Sequence, residues 1–120
     1  MIGIIAAELR RFGRTALWSW EGWRAAWATE KSLRQWTVVN VLSAALALTL
    51  DLGTVERALV LALGLLILAA ELANTALETL CNHVQPDLHP AAKKIKDCGS
   101  AMVALTAIAG GVAWIVVLVG

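Results

Sequence analysis

Charged residues are scarce in this chain: Asp, Glu, Lys and Arg make up 16% of its 120 residues, against 59% apolar ones. A soluble core this small has no need of so much Leu, Ala and Val, so the composition points to the membrane class. A net charge of +1 says little, but the basic residues collect on a face that meets anionic lipid or an anionic solute, and no nucleic-acid partner is expected. Only two cysteines occur, Cys81 and Cys98. Two thiols without clustered histidines make neither a disulfide framework nor a zinc site. There is also no Gly-rich lysine loop of the Walker type, no dinucleotide fingerprint and no kinase catalytic-loop signature. No cleavable leader is expected, because the first apolar run is short and leads into arginines without a small-residue cleavage site.

What is present is one all-α membrane domain, 1–120. Stretches at about 36–52, 58–81 and 98–119 are candidates to cross the roughly 30 Å hydrocarbon layer, the first being the shortest. Arg10, Arg11, Arg14, Arg24, Lys31 and Arg34 precede the first stretch, and Lys93, Lys94 and Lys96 lie between the second and third. Basic residues stay on the cytoplasmic side, so the N-terminus and the second loop are expected in the cytoplasm and the C-terminus outside.

Before the spans, Ile5, Leu9, Phe12, Ala16, Trp20, Trp23 and Trp27 recur at intervals of three and four, which makes an apolar stripe on a helix of about 5–30. Five of the six tryptophans fall between Trp18 and Trp36. Indole rings settle at headgroup depth, so this helix reads as amphipathic and interfacial. A soluble amphipathic helix docked on the bundle is the alternative. Glu30 and Arg34 have i,i+4 spacing, Asp51, Leu52 and Gly53 signal a turn closing an antiparallel hairpin, and Pro90 suits the first turn of a helix. The last span carries Ala101, Ala104, Ala107, Gly110 and Gly111, small residues that allow close helix approach within the bundle or against another subunit.

The second span holds the chemistry. An ionisable residue at the centre of a membrane helix costs about 2.5–3.5 kcal/mol on insertion scales, yet Glu71, Asn74 and Glu78 lie in or beside a run of Leu and Ala. Intramembrane carboxylates are by default functional. On a helical wheel Glu71, Asn74, Glu78 and Asn82 fall within roughly 80° of one another, and Gly64 continues the stripe. Across the following loop, Lys93, Lys96, Asp97 and Ser100 share a helix face. Carboxylates can hold magnesium against substrate phosphates, and lysines answer phosphate charge. A solvated helix start with a Lys93–Asp97 salt bridge is the plain alternative. Spacing and composition reach an intramembrane carboxylate site open to the cytosol, without a reaction type.

The strings Glu71-Leu-Ala-Asn-Thr-Ala-Leu-Glu78, Lys93-Lys-Ile-Lys-Asp-Cys-Gly-Ser-Ala101 and Ser19-Trp-Glu-Gly-Trp-Arg-Ala-Ala-Trp27, with Glu30 and Arg34-Gln35, resemble the prokaryotic diacylglycerol kinase family in order and spacing. The resemblance implies a homotrimer in the bacterial inner membrane, with three transmembrane helices and an amphipathic surface helix per subunit. It implies transfer of the γ-phosphoryl of MgATP to the primary hydroxyl of a membrane lipid. Glu71 would be the general base, and Glu30 and Glu78 would hold Mg2+. Asn74, Lys96 and Asp97 would position the nucleotide phosphates, with His89 near the adenine. Arg11, Ser19, Arg24, Trp27 and Ser100 match positions that contact lipid or nucleotide. Phosphoryl transfer needs mainly positioning and charge neutralisation, so no soluble nucleotide fold is required.

Three positions depart from the family pattern: Asn82 stands for an aspartate, Trp36 for an acidic residue and Trp18 for a tyrosine. Diacylglycerol is the expected acceptor, with undecaprenol the alternative inside the family. A small multidrug-type exporter also carries a membrane-embedded glutamate, but it would need another span and leaves Lys96 and Asp97 without a role.

Overall fold

The computed structural model describes all 120 residues and contains helices and connections only. α1 runs Ile2–Thr29, α2 Lys31–Thr49, α3 Thr54–Val84 and α4 Pro90–Val119. Two compact units result, Met1–Glu30 and Lys31–Gly120. α1 is one long helix whose single buried residue is Ala26. Phe12, Trp18 and Trp20 are exposed on it, and the rings of Trp23 and Trp27 stack with centroids 5.9 Å apart. Glu30 ends the helix in an extended conformation, with φ −106° and ψ 103°.

The second unit is a three-helix array centred on α3. Three side-chain bonds fix the antiparallel register of α2 and α3: Arg57 Nε donates to the Ala47 carbonyl at 2.8 Å, Asn40 Nδ2 donates to the Gly64 carbonyl, and Ser32 Oγ donates to Glu71 Oε2 at 3.0 Å. Arg57 also reaches the Leu50 carbonyl through Nη2 at 3.3 Å. A guanidinium on the last carbonyls of α2 satisfies orphan acceptors and complements the helix dipole. This explains why α2 stops at Thr49 rather than continuing to Leu52. α3 then starts after Gly53, whose N–H donates to Glu56 Oε2 at 3.3 Å, half of a capping box.

α4 starts with Pro90 at its first position, where a missing N–H is harmless, and the His89 side chain caps it by accepting the Ala91 N–H at 3.0 Å. It packs antiparallel on α3, with Ile67 beside Gly110, Asn74 beside Gly99 and Cys81 beside Ala92. The Trp114 indole spans from α4 to α2 and donates to Ser43 Oγ at 2.8 Å. A small core of Ala47, Val60 and Ala113 lies where the three helices meet.

α3 and α4 are each long and apolar enough to cross a membrane, yet only 28% and 11% of their most apolar stretches are buried. A core helix of a soluble protein would be mostly covered, and apolar faces this large are not left in water. The fold is therefore that of a small helical integral membrane protein. α2 does not meet the same measure of length and hydropathy, because Lys31, Arg34, Gln35, Thr37, Asn40 and Ser43 dilute its apolar content.

Candidate active site

α3 carries two rows of residues, each repeating every seven positions. Arg57, Gly64 and Glu71 face α2, while Ile67, Asn74 and Cys81 face α4. The polar stripe expected from the helical wheel thus occupies the edge of α3 that looks into the groove between its two neighbours. It divides there, with Glu71 turned to one helix and Asn74 to the other.

Glu71 is the one buried charged residue, 4% exposed, and Ser32 Oγ is its hydrogen-bond partner. A buried carboxylate needs such a donor, since an unpaired charge away from water is strongly disfavoured. Thr75 completes the local structure by donating to the Glu71 backbone carbonyl at 3.0 Å. Asn74, one turn further along, is half-buried, and its Oδ1 is buried with no hydrogen-bond partner.

Glu78 continues the α2-facing row, but α2 begins only at Lys31, level with Glu71. The row runs past the end of α2, which leaves Glu78 half-buried and without a hydrogen bond or ion pair inside the unit. The register of α3 and α4 sets Glu78 level with the turn of α4 around Lys96. Lys96, Asp97 and Ser100 are exposed there. Asp97 pairs with Lys93 rather than Lys96, at 2.5 Å, as a surface i,i+4 bridge. The hydrogen bond from Lys93 to Asp97, and then the Asp97 charge, raise the Lys93 pKa above its ordinary value. His89 is exposed, and with Nδ1 committed to capping α4 it keeps Nε2 for a ligand. Asn82, one turn beyond Glu78, is exposed.

The remaining expected residues belong to the first unit. Arg11 is exposed and pairs with Glu8 at 3.6 Å, Ser19 donates to the Thr15 carbonyl at 2.9 Å, and Arg24 is exposed. Trp27 is 39% exposed and stacked on Trp23. Glu30 is half-buried at the end of α1, with Thr29 Oγ1 3.5 Å from its Oε1. Inside the second unit, then, Glu71, Asn74 and Glu78 lie along one edge of α3, with Lys96 level with Glu78.

Sequence reasoning missed Ser32 and the contact side of Gly99. Both were accessible through hairpin register. Counting outward from the turn at residues 51–53 sets residue 71 opposite residues 32 and 33, and counting from the second turn sets residue 74 opposite residue 99.

Apolar helices around a buried, hydrogen-bonded carboxylate, with a second carboxylate nearer the loop, define a small helical membrane protein with a polar site on one of its apolar helices. Residues 17–118 match the sequence profile of the family described as prokaryotic diacylglycerol kinase. A diacylglycerol kinase from Pseudomonas aeruginosa is 40% identical over 114 residues, covering 93% of this chain and 91% of that protein. The diacylglycerol kinase of Escherichia coli strain K12 is 32% identical over 108 residues, covering 90% and 88%. A Helicobacter pylori diacylglycerol kinase is 29% identical over 96 residues, covering 80% and 75%. The chain belongs to the prokaryotic diacylglycerol kinase family.

Proposed function

We propose that this protein transfers the γ-phosphoryl group of MgATP to the primary hydroxyl of a membrane diacylglycerol, forming phosphatidic acid and ADP, with Glu71 as the general base. The carrying observation is the buried Glu71 carboxylate, held through Oε2 by Ser32. One oxygen is fixed, and the other is left to accept the proton of an incoming hydroxyl. The hydroxyl oxygen attacks the γ-phosphorus, its proton passes to Glu71, and the bond from that phosphorus to the ADP bridging oxygen breaks.

Glu78 is level with Lys96, about 10 Å along α3 from Glu71 at 1.5 Å rise per residue. That spacing suits a reaction in which the lipid meets the base inside the bilayer edge and the nucleotide remains at the loop side. Magnesium bound to a nucleotide takes one or two protein carboxylates and fills its other positions with phosphate oxygens and water. The chain gathers no larger cluster of metal-binding side chains, and Glu78, half-buried and unpaired, fits that smaller demand. Glu78, and by family resemblance Glu30, are proposed as carboxylates for Mg2+, which neutralises phosphate charge when bound. Asn74, Lys96 and Asp97 would orient the phosphates, and His89 would meet the adenine through Nε2. Arg11, Ser19, Arg24, Trp27 and Ser100 are assigned to lipid or nucleotide contact by family resemblance.

Loop-side lysines and the N-terminal arginines support a site facing the cytoplasm at a bacterial inner membrane, with α2 proposed as a third span and the C-terminus outside. The assembly is a homotrimer. Ala101, Ala104 and Gly111 stay exposed along α4, and nothing lies within 4 Å of where a Gly111 Cβ would stand, so this strip is open to close approach by another subunit.

The test is purified protein in mixed micelles with labelled MgATP and, in parallel arms, a short-chain diacylglycerol or an undecaprenol analogue. Label in diacylglycerol is expected. Label in undecaprenol alone moves the substrate, and label in neither lipid ends the kinase reading. Glu71→Gln is expected to abolish transfer while the oligomer stays intact by crosslinking.

A further inference from the structure

Two asparagines in the second unit lie against a glycine of a neighbouring helix, and they differ in one respect. Asn40 of α2 lies over Gly64 of α3 and donates Nδ2 to that glycine's carbonyl. A Cβ at Gly64 would stand 2.9 Å from Asn40 Oδ1. Asn74 of α3 lies over Gly99 of α4, where a Cβ would overlap Asn74 Oδ1 and stand 3.2 Å from its Cγ. Here no hydrogen bond closes the contact, and Oδ1 is buried without a partner. Nearly all buried amide oxygens are paired, so an exception inside a polar site calls for a reason.

Gly99 does not serve a turn. It is buried inside α4, and no glycine in the chain has a positive φ. Glycine is disfavoured in a helix interior and persists where another group must approach the backbone closely. That group is the Asn74 amide. With its oxygen seated against Gly99, where a Cα–H is the available weak donor, the amide nitrogen is the end left for a ligand. Phosphate oxygens are acceptors, so the nitrogen is the end that serves them.

We infer that Gly99 is a positioning residue: its missing side chain seats the Asn74 carbonyl against α4 and so presents the Asn74 amide nitrogen to the nucleotide phosphates. This rests on the phosphoryl-transfer reading above. The neighbouring backbone leaves room for the alternative state, because the Asn74 Cα would be 3.9 Å from a Cβ at Gly99, an ordinary contact. Gly99→Ala should therefore fold and turn the Asn74 side chain away rather than disrupt the helix pair.

The experiment compares kcat and KM of wild type, Gly99→Ala, Asn74→Ala, the double variant and Gly3→Ala in mixed micelles, beside side-chain amide spectra of 15N-asparagine-labelled protein. The chain has three asparagines, Asn40, Asn74 and Asn82, so the signals can be assigned by substitution. Gly99→Ala is expected to lower kcat by about a hundredfold, the scale of a 1 Å misplacement of a catalytic group. It should shift the Asn74 signal alone and add no further loss in the Asn74→Ala background. Gly3→Ala, with open space at its Cβ, should leave kcat unchanged. Full activity in Gly99→Ala, an unmoved Asn74 signal, or losses that multiply in the double variant would each overturn the inference. If Gly99→Ala fails to assemble, recovery in the double variant supports the seat, and no recovery refutes it. An inactive wild type would sink the phosphoryl-transfer reading instead, while the spectra would still report whether Gly99 seats Asn74.

Discussion

Removing the Ser32 hydroxyl tests the catalytic geometry most directly. Ser32 Oγ is 3.0 Å from Glu71 Oε2, and Glu71 is 4% exposed, so little water can replace a lost donor. A base must be ionised when its substrate arrives, and a hydrogen bond to a charged group contributes about 1.5–3 kcal/mol. On the proposed role of Glu71, part of that energy fixes which carboxylate oxygen would face the lipid, and 1.36 kcal/mol corresponds to about tenfold in rate. Ser32→Ala is therefore expected to lower kcat by about tenfold or more in the mixed-micelle assay, with a smaller effect on KM for MgATP. Ser32→Thr retains the hydroxyl and should recover most of the rate. Activity of Ser32→Ala within about twofold of wild type, beside an inactive Glu71→Gln, would show that Ser32 does not orient the base.

Three further outcomes follow from the helix contacts. Gly64→Ala pushes a methyl to 2.9 Å from Asn40 Oδ1 and should destabilise the α2–α3 pair by about 1–3 kcal/mol in a denaturing-detergent titration, with Asn40→Ala relieving the loss. Equal stability of Gly64→Ala and wild type would contradict that close packing. Arg57→Met leaves the Ala47 and Leu50 carbonyls without their donor and should speed amide exchange in the last turn of α2 more than elsewhere; uniform exchange rates would count against the cap. Glu78→Gln should raise the Mg2+ concentration for half-maximal activity by about tenfold or more, as loss of one charged ligand implies, while the oligomer persists; an unchanged Mg2+ dependence would remove Glu78 from the metal site.

How much of this was legible in the sequence depends on the interaction that set each feature. Helix existence and the polar edge of α3 follow from periodicity, because seven-residue spacing returns Gly64, Glu71 and Glu78 to one side whatever surrounds them. The start of α4 was written in Pro90, whose chemistry is local. The end of α2 was not, since it depends on Arg57 reaching back from the next helix to the Ala47 and Leu50 carbonyls. The division of the stripe is likewise tertiary: a wheel places Glu71 and Asn74 within one sector, but only the packing of α2 and α4 on either side gives one a serine and the other a bare glycine. Burial sharpens this difference. Where water is excluded a polar side chain needs a partner, as Glu71 finds in Ser32, while the Asn74 oxygen lies against Gly99 without one. Sequence reports that such residues are anomalous. The neighbouring helix determines whether the anomaly is already satisfied or still waits for a ligand.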